Sequence, residues 1–131
     1  MLSGGANLGA WEAGVIWGLT HYGTASDYAW DVVSGVSAGA INSAGIATWS
    51  AGTEYEMAEW LSDTWAGLHS DDIWVKREGS TFDLLFKEPS FLDDTSAYHT
   101  LETIISAQGA INRRFAVAAV DTNTGDYIAM T

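Results

Sequence analysis

The residues Gly35-Val36-Ser37-Ala38-Gly39 form a G-x-S-x-G pattern. A serine in this setting can act as a nucleophile on a carbonyl carbon when it stands on a sharp turn between a strand and a helix. The turn holds the serine in a strained backbone conformation and lifts its hydroxyl clear of the sheet. The flanking residues predict that context. Trp30-Asp31-Val32-Val33-Ser34 reads as a short buried strand with a β-branched centre. Ala38 to about Trp49 reads as a helix, whose first turn offers free N–H groups and a positive dipole to a developing oxyanion. Gly35 and Gly39 are expected to lack side chains because a Cβ at either place would crowd the neighbouring strand or helix.

A second candidate element opens the chain. Ser3-Gly4-Gly5-Ala6-Asn7-Leu8-Gly9 leads directly into a predicted helix. Consecutive small residues let backbone N–H groups converge on one point. Gly4, Gly5 and Ala6 are therefore candidates for an oxyanion hole, where one donor is typically worth about 10²–10³ in rate. Phosphate cradling is the rival chemistry. The segment lacks the G-K-[ST] ending of a P-loop, and Ala6 interrupts a strict G-x-G-x-x-G.

These residues need a scaffold, and the remaining pattern supplies one. Residues 9–22 are predicted helical, with Val15, Ile16, Leu19 and Tyr22 at helical spacing and Gly23 as the C′ residue. Thr53 with Glu56 fits a capping box, and behind it Met57, Trp60, Leu61, Trp65 and Leu68 line one helix face. Trp49, Trp60 and Trp65 are expected to be packing residues. Gly39, Ala40, Ala44 and Gly45 are expected to permit close helix–sheet contact. Residues 69–93 have no clear periodicity, and a further helix is predicted from Ser96 to Ala107, capped by Asp94 or Thr95. Phe115 to Asp121 is an apolar run suited to a buried parallel strand. A turn at 122–126 then leads to another strand beginning at Tyr127. Strands alternating with helices predict an α/β fold: three α/β/α layers around a mainly parallel sheet, in one domain over residues 1–131.

Composition narrows the function classes. Hydrophobic residues make up 47% of the chain, with seven Trp, which excludes a disordered or low-complexity protein. Seventeen acidic residues against five basic ones give a net charge of −12. Such a field repels phosphate backbones, so nucleic-acid binding is not expected. There is no Cys, and the three His do not stand at metal-ligand spacings, so no metal or other cofactor is expected. Neither a signal-peptide pattern at Met1–Gly5 nor an apolar run long enough to span a bilayer is visible. The default location is therefore cytoplasmic or peripheral to a membrane.

The two glycine motifs together resemble a known family. Leu2-Ser-Gly-Gly-Ala-Asn-Leu-Gly-Ala-Trp-Glu-Ala-Gly-Val15 is similar to the glycine-rich opening of patatin-like phospholipases. Asp31-Val-Val-Ser-Gly-Val-Ser-Ala-Gly-Ala-Ile-Asn42 is similar to that family's nucleophile elbow. Phe91–Ser96 and Val117–Gly125 echo it more weakly. The resemblance implies a lipid acyl-ester hydrolase with a Ser–Asp dyad, Ser37 as nucleophile and the amides of Gly4, Gly5 and Ala6 as oxyanion donors. Its implied partner is a lipid or acyl ester, with contact to a micelle or membrane surface; oligomeric state is not implied.

The sequence also departs from the family pattern. Ala6 occupies the place of a third glycine, which is tolerable only at negative φ. Leu8 stands where a basic residue is common. In the family the dyad aspartate belongs to an Asp-Gly segment, and no Asp here precedes Gly. Asp121 is the one weak candidate. The expectation is therefore that the chain is incomplete at both ends, lacks its dyad Asp, and alone turns over little ester. Two rivals stand beside this: an inactive lipid-binding or interaction module, and an α/β-hydrolase triad of Ser37, Asp72 and His99. Trp74, Phe82, Leu85, Phe86 and Phe91 could form an apolar lip for lipid entry, though core packing is the stronger expectation for most of them.

Overall fold

The computed structural model of the chain describes residues 1–73, 75–76, 92–93 and 95–131. They divide into two compact units, one of Met1–Gly67 with Gln108–Thr131, the other of Leu68–Ala107.

The first unit is built on a three-stranded sheet. The β-branched pair Val32-Val33 starts strand β1 (Val32–Val36). After the helices α1 (Gly9–Tyr22), α2 (Ala38–Ala47) and α3 (Glu54–Gly67) come β2 (Val75–Lys76), β3 (Leu92–Asp93), α4 (Thr95–Gln108), β4 (Arg114–Val120) and β5 (Tyr127–Met130). The sheet order is β1-β4-β5. β1 and β4 run parallel, with Val36 opposite Ala118, and β5 folds back antiparallel on β4. At the other edge Leu2 bridges to Gly35 in parallel. The fold is thus α/β, and two of the three lateral pairings are parallel.

One face of β1 is closed by helices. Val33 is buried in a core with Ala13, Ile16, Ile46, Ala47, Met57, Ala58 and Leu61, and Trp17, Trp30, Trp49, Trp60, Trp65 and Phe115 pack around it. On the other side Val32 is half exposed, and an apolar cavity of about 710 Å³ is lined by Val32, Ile111, Phe115, Val117 and Met130. β4 is accordingly only partly buried, not the fully buried strand its composition predicts.

Helix α1 buries a different face from the expected one. Ile16 is in the core, but Val15, Leu19 and Tyr22 are exposed, and the buried row is Gly9, Ala13, Ile16 and Thr20. Small residues let α1 lie close to its neighbours: a Cβ on Gly9 would come within 2.5 Å of the Trp65 ring. Gly45 works the same way against Trp60 of α3, so its close contact is helix to helix and not helix to sheet. Gly23 ends α1 in extended backbone, not left-handed, and its Cβ would strike Leu19 O at 2.6 Å.

The capping box expected at Thr53 does not form. The Thr53 hydroxyl donates to Ser50 O, while the carboxylate of Glu54, the first residue of α3, accepts the Gly52 N–H. Glu54 is buried because it meets Arg113, the buried residue just before β4. Arg113 Nη1 lies 2.9 Å from Glu54 Oε1, and the guanidinium also donates to the carbonyls of Trp49, Trp30 and Ser50. Every polar atom of this buried ion pair thus has a partner, the condition under which such a pair is tolerated.

In the second unit β2 and β3 pair antiparallel. The Thr100 hydroxyl of α4 donates to Asp72 O at 2.8 Å. Trp74, Phe82, Leu85, Phe86 and Phe91 lie outside the described residues, and so does Asp94.

Candidate functional site

Ser37 is the junction between β1 and α2, and its backbone lies at φ 53°, ψ −126°. This is a sparsely populated conformation for a residue with a side chain, costing of order 1–3 kcal/mol. It persists because both flanks are fixed. On one side β1 is held in register between Leu2 and β4. On the other the Ser37 carbonyl accepts the N–H of Ala40 at 2.9 Å and of Ile41 at 3.3 Å, starting α2. The side chain is exposed.

The sharpness of the turn sets the residues around it. A Cβ on Gly35 would lie 2.1 Å from Gly39 O, and one on Gly39 would lie 2.5 Å from the Leu2 carbonyl carbon. Both would overlap backbone, which cannot rotate away. Two glycines therefore let β1, α2 and the opening strand meet at one point.

The opening loop arrives there by the same pairing. Leu2 N–H donates to Ser34 O at 2.8 Å, and Val36 N–H donates to Leu2 O at 3.3 Å. Running parallel to β1, the chain passes its C-terminal end and places Gly4 beside the serine. A Cβ on Gly4 would be 3.0 Å from Ser37 Cβ and 3.7 Å from Ser37 Oγ. The two segments that sequence reasoning singled out are thus neighbours on one edge of the sheet. Gly5 adopts φ 157° and Ala6 φ 50°. The latter corrects the expectation of a negative φ at Ala6: it lies in the left-handed region, at a cost of roughly 1–2 kcal/mol.

Among the described residues, the amides of Gly4, Gly5, Ala6 and Ala38 donate to no protein acceptor. Two helix N-termini approach the same place, since a Cβ on Gly9 would lie 3.1 Å from Ala38 Cβ. Free amides and positive dipole ends suit this point to a negatively charged oxygen. A cavity of about 300 Å³ adjoins the loop, lined by Ser3, Gly4, Leu8, Trp11 and Glu12.

The candidate bases stand elsewhere in the hydrogen-bond pattern. Asp121 follows β4 at the same C-terminal end of the parallel strands as Ser37, but its Oδ1 accepts the Asn123 N–H at 2.8 Å and its carbonyl the Gly125 N–H at 2.7 Å. It closes the β4–β5 turn, and no hydrogen bond joins it to Ser37. Asp72 Oδ2 accepts the His69 N–H, and His99 faces Glu102 at 3.8 Å. The triad pairing of Asp72 with His99 is therefore not formed. No cluster of three or more His, Cys, Asp or Glu suited to a metal occurs among the described residues.

Sequence reasoning missed the polar chain behind the loop, formed by Ser3, Glu12, Asn42 and Trp65. Glu12 and Asn42 both lie inside the two glycine motifs, and their polarity in otherwise small and apolar helix segments was the available signal. It also missed a cluster joining α1 to α3. Glu59 Oε1 receives the Trp17 indole N–H at 2.7 Å and lies 2.6 Å from His21 Nε2. The Trp17 hydrogen bond, with His21 adding to it against some desolvation, holds the Glu59 carboxyl below its ordinary value.

The family model described as patatin-like phospholipase matches residues 1–129. No curated protein and no solved structure matches the chain. No helix among the described residues is long and apolar enough to cross a membrane.

Proposed function

The chain belongs to the patatin-like phospholipase family, which acts hydrolytically on lipid esters, and from that membership we propose that Ser37 is the nucleophile of a lipid acyl-ester hydrolase. The observation that carries the reading is the contact of Gly4 with Ser37, which sets unpartnered loop amides beside a strained, exposed serine.

In the proposed reaction Ser37 Oγ attacks the ester carbonyl carbon, and its proton passes to an aspartate carboxylate supplied from outside residues 1–131. Negative charge moves to the former carbonyl oxygen, which turns toward the amides of Gly4, Gly5 and Ala6. Ala38, the residue after the nucleophile, contributes its amide from the start of α2. Collapse of the tetrahedral intermediate expels the alcohol, which takes the proton, and leaves an acyl-serine. Water then attacks the acyl carbon, passing a proton to the same aspartate, and the second tetrahedral intermediate breaks its bond to Ser37 Oγ, which takes that proton back as the carboxylic acid leaves. The loop amides need not reorganise as charge develops, and this makes them effective. The partner is a lipid presented in a micelle or at a membrane surface. A surface of net charge −12 favours neutral or zwitterionic presentation over an anionic one.

A second reading, an inactive lipid-binding or interaction module, draws on one observation: no carboxylate among the described residues hydrogen-bonds to Ser37. A fluorophosphonate probe separates the two. Covalent labelling mapped to Ser37 and abolished by Ser37→Ala supports the hydrolase, as does recovery of ester turnover in a longer chain carrying a downstream Asp-Gly. Labelling that survives Ser37→Ala, or no labelling in either chain, contradicts it.

A further inference from the structure

We propose that Glu12 is a positioning residue that holds the opening glycine loop at its working distance from Ser37, a role that rests on the hydrolase reading of Ser37. Its side chain leaves the first turn of α1 and reaches back to the loop. There a single oxygen, Oε1, accepts both the backbone N–H of Ser3 at 2.8 Å and the Ser3 hydroxyl at 3.1 Å. Ser3 immediately precedes Gly4.

The other oxygen, Oε2, accepts from Asn42 Nδ2 at 3.1 Å. Asn42 is fully buried, and both hydrogens of its amide are committed. Nδ2 also donates to Gly9 O at 3.0 Å, and Oδ1 accepts the Trp65 indole N–H at 2.7 Å. A carbonyl only accepts and an indole N–H only donates, so the amide has one workable orientation, with its NH₂ group facing Glu12. Asn42 lies on α2, the helix that begins at the serine. A continuous chain of hydrogen bonds therefore runs from α3 through Asn42 and Glu12 to the residue before Gly4.

The geometry gives this chain a task. On the sheet side, Leu2 already ties the opening strand to β1. On the helix side, among the described residues, Glu12 is the one side chain that hydrogen-bonds the segment before Gly4; the turn beyond it is held by backbone bonds from Leu8 N–H to Gly5 O and from Gly9 N–H to Ala6 O, with Ala6 at positive φ. With a Gly4 Cβ position only 3.0 Å from Ser37 Cβ, a shift of an ångström changes where the amides point. Misplacement on that scale costs about 10²-fold in rate. The bonds to Ser3 need one acceptor oxygen, which glutamine at position 12 supplies, but its NH₂ group would then meet Asn42 Nδ2, donor against donor, so glutamine keeps at most one side of the link.

The test compares the wild-type chain with Glu12→Ala, Glu12→Gln and Ser3→Ala by two readouts: amide hydrogen exchange at the hydrogen-bonded loop amides of Ser3 and Leu8 and the rate of fluorophosphonate labelling at Ser37. Glu12→Ala is expected to raise exchange at the loop amides selectively and to slow labelling by about 10²-fold. Glu12→Gln, which can serve Ser3 or Asn42 but not both, is expected to label at a rate between wild type and Glu12→Ala. Ser3→Ala, which removes one of the two loop bonds without touching the core, shifts both readouts less in the same direction, and it decides the matter should Glu12→Ala fail to fold. Exchange that rises equally across α2 and α3 would make Glu12 a general structural residue and overturn the proposal. Failure of the serine to label both in this chain and in a longer one carrying a downstream Asp-Gly contradicts the hydrolase reading instead, and the exchange measurement still decides the role of Glu12.

Discussion

Replacing Ala6 by glycine is expected to stabilise the protein, against the usual direction of such a change. Ala6 sits at φ 50°, where an alanine Cβ crowds the following carbonyl at a cost of roughly 1–2 kcal/mol. Glycine escapes that cost but gains freedom in the unfolded chain, which takes back about 0.4–1 kcal/mol. The steric term wins, and the net gain is about 0.5–1 kcal/mol. For a chain of this length that corresponds to a rise in Tm of about 2–4 °C. Ala10 supplies the control, because it is also exposed but lies in the ordinary helical turns of α1. There the same substitution costs about 1 kcal/mol and lowers Tm. Thermal unfolding followed by circular dichroism distinguishes the two signs. If Ala6→Gly lowered Tm in parallel with Ala10→Gly, the left-handed turn would not exist, and the direction assigned to the loop amides would be wrong.

Three further outcomes follow from the packing. Arg113→Ala leaves Glu54 buried and unpaired, at a cost of about 3–5 kcal/mol; the urea midpoint should fall steeply and recover in part when Glu54→Gln is added. Gly39→Ala forces a Cβ into the Leu2 backbone and should destabilise by about 1–3 kcal/mol. Gly14→Ala, which meets nothing within 4 Å on the exposed side of α1, should stabilise in the same chemical unfolding assay. Glu59 sets an acid dependence. Its folded pKa lies below the ordinary 4.5 because of Trp17 and His21, so its contribution is present above 4.5 and is lost as pH falls through the lowered value. Wild type should therefore lose more Tm than Glu59→Gln on acidification from about pH 5 to pH 3; an equal loss contradicts the Trp17–Glu59–His21 arrangement.

The elbow was legible in the sequence because everything that defines it is local. A β-branched strand, a serine between two glycines and a following helix occupy one short stretch, and each residue has a separate steric reason to be there. The face of α1 was not legible. Apolar spacing points to Val15, Leu19 and Tyr22, whereas the helix packs through Gly9, Ala13 and Thr20, whose value is their small size and not their hydropathy. The sign of φ at Ala6 was equally hidden, because it depends on how the loop crosses from strand to helix. The link from Glu12 to Asn42 and Trp65 joins three helices, and no spacing within one helix reveals which side chains will meet. Buried Glu54 and Arg113 read as surface charges until the start of β4 is brought against the α2–α3 connection.

The central claim is tested most directly by a crystal structure of the chain phosphonylated at Ser37. The phosphoryl oxygen stands in for the oxyanion. It is expected to point at the opening loop, about 2.7–3.1 Å from the amide nitrogens of Gly4 and Gly5. An adduct whose oxygen faces open solvent, with those amides unengaged, would contradict the account.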